Sequence, residues 1–330
     1  MVILKTLSGR LPLHSLRPKH KQRLAKGGFS LFRVLFLIGM SYVLLFPLFV
    51  MLSRALRPYT DMYNPSIVWI PSGLTMENFR YAMKALGGVS SLFHTLRIVL
   101  ISTVLTMISC SLAGYGLARY RMRTSPLWVV MAALTVIVPL QTYVISLFFN
   151  FRYFDFFGIG SLIGLITGEK IFINLTTSEF VYYIMNILGS GTRSGLFILL
   201  FMQTFKALPA ELENAARVDG AGEFRIFARI MLPNATASFV VTFVMSMVWQ
   251  WNDSFFPSIV YNQDFFLSKR MSQLRVLATD ALGLSNYATN LSETVVMFAG
   301  CLIFITPLLL MYMFVQKYFM QSMERTGITG

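Results

Sequence analysis

The chain has 330 residues, of which 55% are hydrophobic and only 13% are charged, and its formal net charge is +14. Soluble domains carry about 25% charged residues, so this composition excludes an ordinary soluble protein and predicts an integral membrane protein. In a soluble protein the basic excess would favour nucleic-acid binding. In a membrane protein it indicates cytoplasmic segments, which are enriched in Lys and Arg.

The N-terminal 28 residues form a basic tail without acidic residues, followed by an apolar run from Phe29 to Leu52. The apolar core of a secretory signal is about 7–15 residues long and ends at a small-residue cleavage site. This run is longer and ends in Ser53-Arg54. We therefore predict an uncleaved first span and a cytoplasmic tail at residues 1–28.

The second and third predicted spans are joined by a short basic turn. Residues 54–93 are mixed and polar and predict an extracytoplasmic loop with a short helix near Met76–Leu86. The second span follows at Leu96–Leu117 and ends at the basic run 119–123, which indicates the cytoplasmic side. The third span is Pro126–Phe149. Its mid-span proline predicts a kinked helix.

Residues 150–180 are rich in glycine and irregular in pattern, and we predict a partly buried loop outside the membrane. Its apolar part, Ile159–Ile166, is too short to span, because a spanning helix needs about 20 residues. The fourth span is Phe180–Phe205, interrupted by Gly189–Arg193, where small residues could allow either close helix packing or a break at membrane depth. An arginine in lipid is costly, so Arg193 should face protein, water or the outer interface.

The fifth span is Thr236–Ile259, and the sixth is Glu293–Val315, with a polar outer loop at 260–292 between them. Six spans with both ends inside make an all-α integral membrane protein. The predicted transmembrane domain is residues 29–320, with a cytoplasmic loop at 206–234 and a cytoplasmic C-terminal tail at 321–330.

The loop 206–234 contains a charge-rich stretch, Pro209–Pro233, which we call the elbow. Pro209 is suited to the first position of a helix, acidic residues follow in the first turn, and Gly220 can end the helix with positive φ. Small apolar residues should form one face of this helix: Leu212, Ala215, Ala216 and Val218. In a second amphipathic piece, 223–231, Phe224, Phe227 and Ile230 should share one side, with Arg225 and Arg229 away from it.

Two interpretations of the elbow are possible from the residues alone. Its helices could lie on the inner leaflet with their arginines toward lipid phosphates, or they could dock on a cytoplasmic partner. The pair Ala215-Ala216 favours docking, because close approach of helices requires small residues whereas lipid-embedded faces are bulky.

The elbow also resembles the EAA loop of bacterial ABC import permeases, in the carbohydrate-uptake, maltose-type branch. Ala215-Ala216, Gly220 and the run 230–233 keep the spacing of that loop. Further similarity lies in Trp69-Ile70-Pro71 and Thr75–Phe79, in Trp251-Asn252-Asp253, and in the closing segment from Gln316 to Gly330. The resemblance covers residues 30–330 and implies the type I ABC importer architecture with a cytoplasmic coupling helix.

The resemblance implies a permease subunit in the bacterial cytoplasmic membrane that takes up a carbohydrate, with an oligosaccharide favoured. It implies four partners besides membrane lipids, namely a second permease, two ATPase subunits and an extracytoplasmic solute-binding protein, and no nucleic acid. ATP and Mg²⁺ would be bound by the ATPase, so no cofactor is expected in this chain. The residues implied in ATPase coupling are Glu211, Glu213, Asn214, Ala215, Ala216, Asp219 and Gly220.

The chain departs from the family pattern at two places. The family's eponymous glutamate is Asn214 here, so docking should depend less on charge; Glu213 points about 100° away on the helix and is an imperfect substitute. Extra sequence is also present around Gly168–Glu179, longer than is expected of a maltose-type subunit.

Several polar and aromatic residues are candidates for the substrate pathway: Gln141, Thr142, Trp249, Gln250, Trp251, Asn252 and Asp253. The tryptophans are suited either to anchoring at the membrane interface or to stacking on a sugar. Gln141 and Thr142 are suited to interhelical hydrogen bonds or to lining the pathway.

Other function classes have less support. The two cysteines lie in apolar runs and the three histidines are scattered, so we predict no catalytic or metal site and no enzyme activity in this chain. A secondary transporter would carry acidic residues within its spans, which the central spans lack. The main alternative is an ABC permease for another solute, such as a glycerol-phosphate compound.

Overall fold

The computed structural model describes residues 17–58, 61, 64, 70–120, 122–169, 172–261, 263–282 and 290–327. Parts of the predicted features lie outside the described residues, namely most of the basic tail (1–16), Trp69, residues 283–289 of the second outer loop, and Gly330. The described residues are almost entirely helical, and their one extended pairing is an isolated antiparallel bridge between Phe154 and Ile173.

The helices follow one another along the chain with short connections. In order they are α1 Arg17–Ala55, α2 Glu77–Ala85, α3 Gly88–Arg119, α4 Ser125–Ile137, α5 Val144–Arg152, α6 Ile159–Thr167, α7 Phe180–Ile187, α8 Ser194–Ala207, α9 Glu211–Val218, α10 Glu223–Ile226, α11 Leu232–Asn234, α12 Thr236–Asn252, α13 Phe255–Ile259, α14 Leu267–Ser272, α15 Leu274–Leu282 and α16 Asn290–Gly327. Short 3₁₀ turns lie at Leu140–Thr142 and Phe156–Gly158, and a π-helical turn at Phe227–Met231.

Three helices among the described residues are long and apolar enough to cross a membrane unbroken. They contain Phe29–Ala55, Gly88–Arg119 and Thr294–Tyr318, and they correspond to the predicted first, second and sixth spans. The second begins eight residues earlier than predicted, because Gly87, with φ +88, starts the helix directly after α2. The short helix predicted near Met76–Leu86 is confirmed as α2.

The other three predicted spans are interrupted. In the third, α4 ends at Ile137 and α5 begins at Val144, with extended Pro139 at the break, as the proline predicted. In the fourth, the helix stops between Ile187 and Ser194, where the glycine-rich run indicated a break. The fifth is α12 followed by the short α13.

Sharp bends set the elbow apart from the spans on either side of it. The axes of α8 and α9 differ by 73°, and the axis of the segment Glu223–Asn234 differs from that of α12 by 77°. Since α8 and α12 run along the bundle, the elbow helices lie across its end. Up to five spans are counted among the described residues if each bent pair is one span.

Helix α3 is the centre of the bundle and packs against α7, α8 and α12. A close approach of α3 and α8 requires Gly114, because a Cβ there would lie 2.6 Å from Cβ of Phe201 and 2.8 Å from the backbone nitrogen of Met202. Between α3, α7 and α12 the buried contacts include polar ones as well as apolar ones; Thr106 donates to Asn186 Oδ1 at 2.7 Å. Hydrogen bonds of this kind specify which helices pack together in lipid.

The loop predicted at 150–180 differs from the expectation. It contains the apolar helix α6, whose bulky side chains are exposed rather than partly buried. The segment from Phe154 to Ile173, which we call the excursion, leaves the bundle and returns to it. The bridge between these two residues closes its base, and the amide of Leu175 donates to Phe151 O at 2.8 Å. The segment is therefore a helix held on a closed stem rather than an irregular loop.

Candidate functional site

The first elbow helix, α9, has the ends that its sequence predicts. Glu211 and Glu213 occupy its first turn, where negative charge is favoured by the helix dipole. Gly220 follows it with φ +76, and the Ala221 amide donates to Ala216 O at 2.9 Å. This geometry is the glycine-dependent helix stop. The helix begins at Glu211, two residues after the predicted first position at Pro209.

Helix α9 has two faces, which corrects the single small face expected from the sequence. Glu213 and Ala216 are buried against the rest of the chain. Ala215 and Leu212 are exposed, and Val218 is 87% exposed. The candidate coupling residues are thus divided between an inward face that attaches the elbow and an outward face that is open to a partner.

The inward face is attached to α3 by an ion pair. Arg119 Nε, in the last turn of α3, lies 3.1 Å from Glu213 Oε1, and the two side chains are only 13% and 5% exposed. The guanidinium of Arg119 also donates to Leu208 O at 2.8 Å, where the chain enters the elbow. One side chain of α3 therefore holds both the entry to the elbow and its first helix.

A second group of charges continues from the first. Arg217 lies 3.5 Å from the other oxygen of Glu213 and binds Glu223 through two nitrogens, at 3.0 and 3.2 Å. Tyr120 donates to Glu223 at 3.0 Å. The hydrogen bonds from Arg217 first, and from Tyr120 next, lower the pKa of the Glu223 carboxyl. The carboxylate therefore stays ionised and joins α9, α10 and the end of α3.

Apolar residues fill the space beneath these ion pairs. The Tyr115 ring of α3 lies 5.5 Å from that of Phe205 and 5.0 Å from that of Phe227, measured between centroids. The second elbow piece buries Ile226, Phe227 and Met231 in this cluster. Phe224, predicted on the same side as Phe227, is instead 77% exposed. Phe224 precedes the π-helical turn at Phe227–Met231, which brings Met231 rather than the predicted Ile230 fully into the cluster.

Asn214, which replaces the glutamate of the family pattern, lies on the outward side of α9. It is exposed, and its Oδ1 accepts a hydrogen bond from Arg217 at 3.4 Å. Asp219 and Glu211 are exposed near it. Glu213 is turned inward into its pair with Arg119, so its carboxylate does not replace the missing acid on the outward face.

A second candidate site is a cleft of about 410 Å³ between the interrupted helices. It is lined by residues from the break between α4 and α5, from the break before α8, and from the end of α12 and the residues just after it: Thr135, Val136, Ile137, Val138, Pro139, Leu140, Gln141, Tyr143, Thr192, Arg193, Trp249, Asn252, Asp253 and Phe255. Four of the predicted pathway candidates thus meet in one cleft: Gln141, Trp249, Asn252 and Asp253.

Arg193 gives the cleft its positive charge. Its guanidinium carbon lies 4.3 Å from the centroid of the Trp249 ring, a cation–π contact, and its φ is +61. Positive φ is uncommon for residues other than glycine and is found at functional sites. The sequence indicated only that Arg193 must avoid lipid. Its stacking on Trp249 could be recognised only from the structure, because the two residues lie at the ends of different helices that the fold brings together.

Three other pathway candidates lie elsewhere. Trp251 is completely buried, and its indole Nε1 donates to Phe304 O of α16 at 3.1 Å. Neither the interface anchor nor the sugar contact predicted for Trp251 fits this position. Gln250 is buried, and its Nε2 donates a hydrogen bond to Ser246 Oγ at 2.7 Å. The Thr142 hydroxyl donates back to Pro139 O at 2.7 Å.

Sequence reasoning did not identify Arg119, Tyr120 or Glu223 as part of the elbow attachment. Arg119 was assigned to a basic turn that sets topology. The one available signal was a charged residue directly at the end of an apolar span, with a matching acid six helices later in the chain. The sequence does not show which of the neighbouring arginines, at 119, 121 or 123, forms the ion pair with Glu213.

Comparison with known proteins identifies the family. The family described as "Binding-protein-dependent transport system inner membrane component" matches residues 27–325. The chain belongs to this family. The permease is thus an inner membrane component of a binding-protein-dependent transport system, as its elbow and apolar spans predicted.

Several relatives of the permease are named as sugar transport proteins. It is 27% identical over 309 residues to the arabinooligosaccharides transport system permease protein AraQ of Bacillus subtilis (strain 168), covering 92% of this chain and 98% of AraQ. It is 26% identical over 226 residues to the probable starch degradation products transport system permease protein AmyC of Thermoanaerobacterium thermosulfurigenes, covering 68% and 74% of the two chains.

The fold of the permease is shared with a solved structure. A chain in the crystal structure of a bacterial ABC transporter involved in the import of the acidic polysaccharide alginate matches it with a TM-score of 0.64 and 18% identity. The match covers 89% of this chain and 98% of that one. The predicted all-α ABC permease architecture is confirmed by this likeness and by the helices described above.

Proposed function

We propose that this permease is one subunit of an ATP-driven importer for a carbohydrate, with an oligosaccharide as the favoured solute. The sugar names of its relatives support this solute class. The cleft supports it as well, because Gln141, Asn252 and Asp253 offer hydrogen-bonding groups beside the indole of Trp249. Polar groups placed next to an aromatic ring suit a ligand rich in hydroxyl groups.

The proposal that transport is driven by an ATPase rests on the two faces of the elbow helix α9. The outward face of α9 offers Leu212, Ala215 and Val218 to an ATPase subunit, and the small Ala215 permits close approach. The inward face is fastened to α3 through Glu213 and Arg119. A displacement of α9 by the ATPase is then passed to the central helix of the bundle.

The remaining partners and the orientation follow from this role. A second permease subunit completes the pathway, two ATPase subunits bind ATP and Mg²⁺ and hydrolyse the ATP, and an extracytoplasmic binding protein delivers the solute. This chain itself requires no cofactor and performs no catalysis. The elbow and both termini are cytoplasmic, in a bacterial cytoplasmic membrane, and the segments 54–93 and 260–292 lie on the opposite side.

Closure of the two ATPases on ATP would draw the elbows together and tilt α3 and α8. The helix interruptions at Pro139 and at 188–193 lie beside the cleft, so this motion opens it to the outside, and the binding protein releases its solute there. Because Asn214 carries no charge, docking depends on shape and hydrogen bonds more than on charge attraction.

The outward face can be tested with Ala215→Trp. Ala215 is exposed, so the larger side chain is expected to leave the chain folded and inserted while it blocks close approach of the ATPase. Co-purification of the ATPase and ATP-dependent uptake should both fall strongly. Arg225→Trp is the matched control, since Arg225 is exposed on the second elbow piece. Normal uptake by Ala215→Trp would contradict docking on this face.

The helix stop can be tested with the paired variants Gly220→Val and Gly222→Val. A Cβ at either glycine meets nothing within 4 Å, but Gly220 has φ +76 whereas Gly222 has φ −71. A β-branched residue is strained by about 1–2 kcal/mol or more in the left-handed region. We expect Gly220→Val to reduce uptake or ATPase assembly with normal insertion, and Gly222→Val to behave as the parent. Equal uptake by the two variants would show that coupling does not depend on the helix stop at Gly220.

Another solute class is favoured by a single observation, the guanidinium of Arg193 in the cleft. Arginine binds phosphate through paired hydrogen bonds, so a glycerol-phosphate compound is the alternative. Thermal-shift screening of the cognate binding protein with neutral oligosaccharides and with glycerol phosphates decides between the two. Stabilisation by glycerol phosphates alone would overturn the carbohydrate assignment.

A further inference from the structure

The helix α6, Ile159–Thr167, lies at the tip of the excursion between α5 and α7. No charged residue occurs from Phe156 to Gly168. The helix has nine residues and is therefore about 14 Å long, less than half of what a span needs. It is also close to Gly168–Glu179, where the sequence is longer than is expected of a maltose-type subunit.

The two faces of α6 are arranged in the opposite way to those of a soluble helix. At 100° per residue, its bulky residues occupy one arc, and the most exposed of them, Leu165 and Ile166, are 84% and 85% exposed. The small residues occupy the other arc, where Gly160 is buried and Gly164 is half-buried. The helix thus turns its small side to the protein and its aliphatic side away from it.

The ends of α6 are fixed. Gly158 and Gly168 flank it with φ +97 and φ +81, and the Asp155 carboxylate accepts the Ser161 amide at 2.7 Å. The bridge between Phe154 and Ile173 closes the stem. The outward direction of the aliphatic face is therefore set by the local fold.

The surroundings of α6 continue its apolar surface. Tyr153, Phe156 and Phe172 are exposed beside it, and Ile145 and Phe149 are exposed on α5, which leads into it. Aromatic residues concentrate where a membrane meets water. Exposed apolar side chains thus extend from α5 onto this helix, with exposed Arg152 between them.

This end of the bundle is the one remote from the elbow. α3 ends at Arg119 beside the elbow, and α4 and α5 then lead away from it. The excursion therefore lies at the end of the bundle opposite the elbow.

We propose that α6 is a membrane anchor that lies in the boundary between headgroups and acyl chains, with its aliphatic face in the lipid. Helix contacts inside membranes use small residues because lipid is as apolar as leucine, so bulky residues are left for the lipid side. A short apolar helix of this kind suits an interfacial position rather than a span.

The proposal can be tested with nitroxide labels on the assembled transporter in vesicles of phosphatidylethanolamine and phosphatidylglycerol. The labels are attached to Leu165→Cys and Ile166→Cys in a background in which Cys110 and Cys301 are replaced by Ala. Glu169→Cys, exposed at the end of the same excursion, is the water-facing control, and Val181→Cys, completely buried, is the protein-facing control. Collision rates with oxygen and with a water-soluble nickel complex are measured by power saturation.

At positions 165 and 166 we expect oxygen collisions to exceed nickel collisions several-fold, because oxygen concentrates in lipid. Position 169 should show the reverse, and position 181 should be shielded from both. Shielding from both reagents at 165 and 166 would assign the face to another subunit and overturn the proposal. Free access of nickel there would also overturn it, because the face would then lie in water.

Discussion

Arg119→Met is expected to abolish ATP-driven uptake while the chain still inserts and still binds the ATPase. The substitution leaves Glu213 buried with only the more distant Arg217 beside it, at 3.5 Å. Removing one member of a buried ion pair lowers stability by about 3–5 kcal/mol. Because Arg217 still partly neutralises Glu213, we expect a cost near the lower limit of this range. The first elbow helix, α9, then loses its ion pair to α3, while the aromatic cluster still holds the second elbow piece and the outward docking face is unchanged.

The measurements are uptake into vesicles and ATP hydrolysis by the assembled complex. An α9 helix without this ion pair should leave ATP hydrolysis in place but no longer linked to uptake, whereas simple misfolding would remove the subunit from the membrane. Arg123→Met is the matched control, because Arg123 is exposed near the same end of α3. Its uptake should match that of the parent.

A charge exchange gives a sharper test of the same pair. Arg119→Glu alone and Glu213→Arg alone should each be inactive, since each places two like charges in contact. The double variant should recover part of the uptake. Equal inactivity of all three variants, or normal uptake by Arg119→Met, would show that the pair does not transmit the motion.

Trp251→Ala is expected to lower the amount of subunit in the membrane and the uptake in equal proportion. Trp251 is completely buried between α12 and α16, with its indole Nε1 bonded to Phe304 O. Truncation of a buried tryptophan costs about 3–5 kcal/mol, through the cavity left behind as well as the lost burial. The unpaired carbonyl adds to this cost only slightly if water reaches it.

Trp249→Ala provides the contrast two residues away. Trp249 lines the cleft, and its loss removes the ring on which Arg193 stacks. We expect uptake to fall much more than the membrane level, which quantitative immunoblotting compares directly. If Trp251→Ala instead retained a normal membrane level and lost uptake, Trp251 would act in the pathway despite its burial.

Much of the fold could be predicted from local sequence. Apolar runs predicted the unbroken helices that contain Phe29–Ala55 and Thr294–Tyr318, because length and hydropathy are properties of a single segment. Pro139 predicted the break between α4 and α5, and Gly220 predicted the stop after α9, because both residues act through their own backbone. Family spacing in the elbow then predicted the type of protein.

Other features depended on neighbours that are distant in sequence. The periodicity of α9 correctly separates Glu213 from Asn214, but it does not say which side is covered. The contact with Arg119, 94 positions earlier, decides that Glu213 and Ala216 face inward. Phe224 is exposed although the helical period places it near the buried Phe227, because none of the described residues covers that part of the helix.

The sequence by itself determined that this chain crosses a membrane, which segments are apolar enough to do so, and where the elbow lies. These properties follow from composition, from segment length and from single residues with restricted backbones. Only the tertiary structure decided that Arg119 holds the elbow, that Trp249 lines a cleft while Trp251 is core, and that α6 turns its aliphatic side outward. Each of these depends on which surface of a helix is covered, and that is decided by the packing of other helices against it.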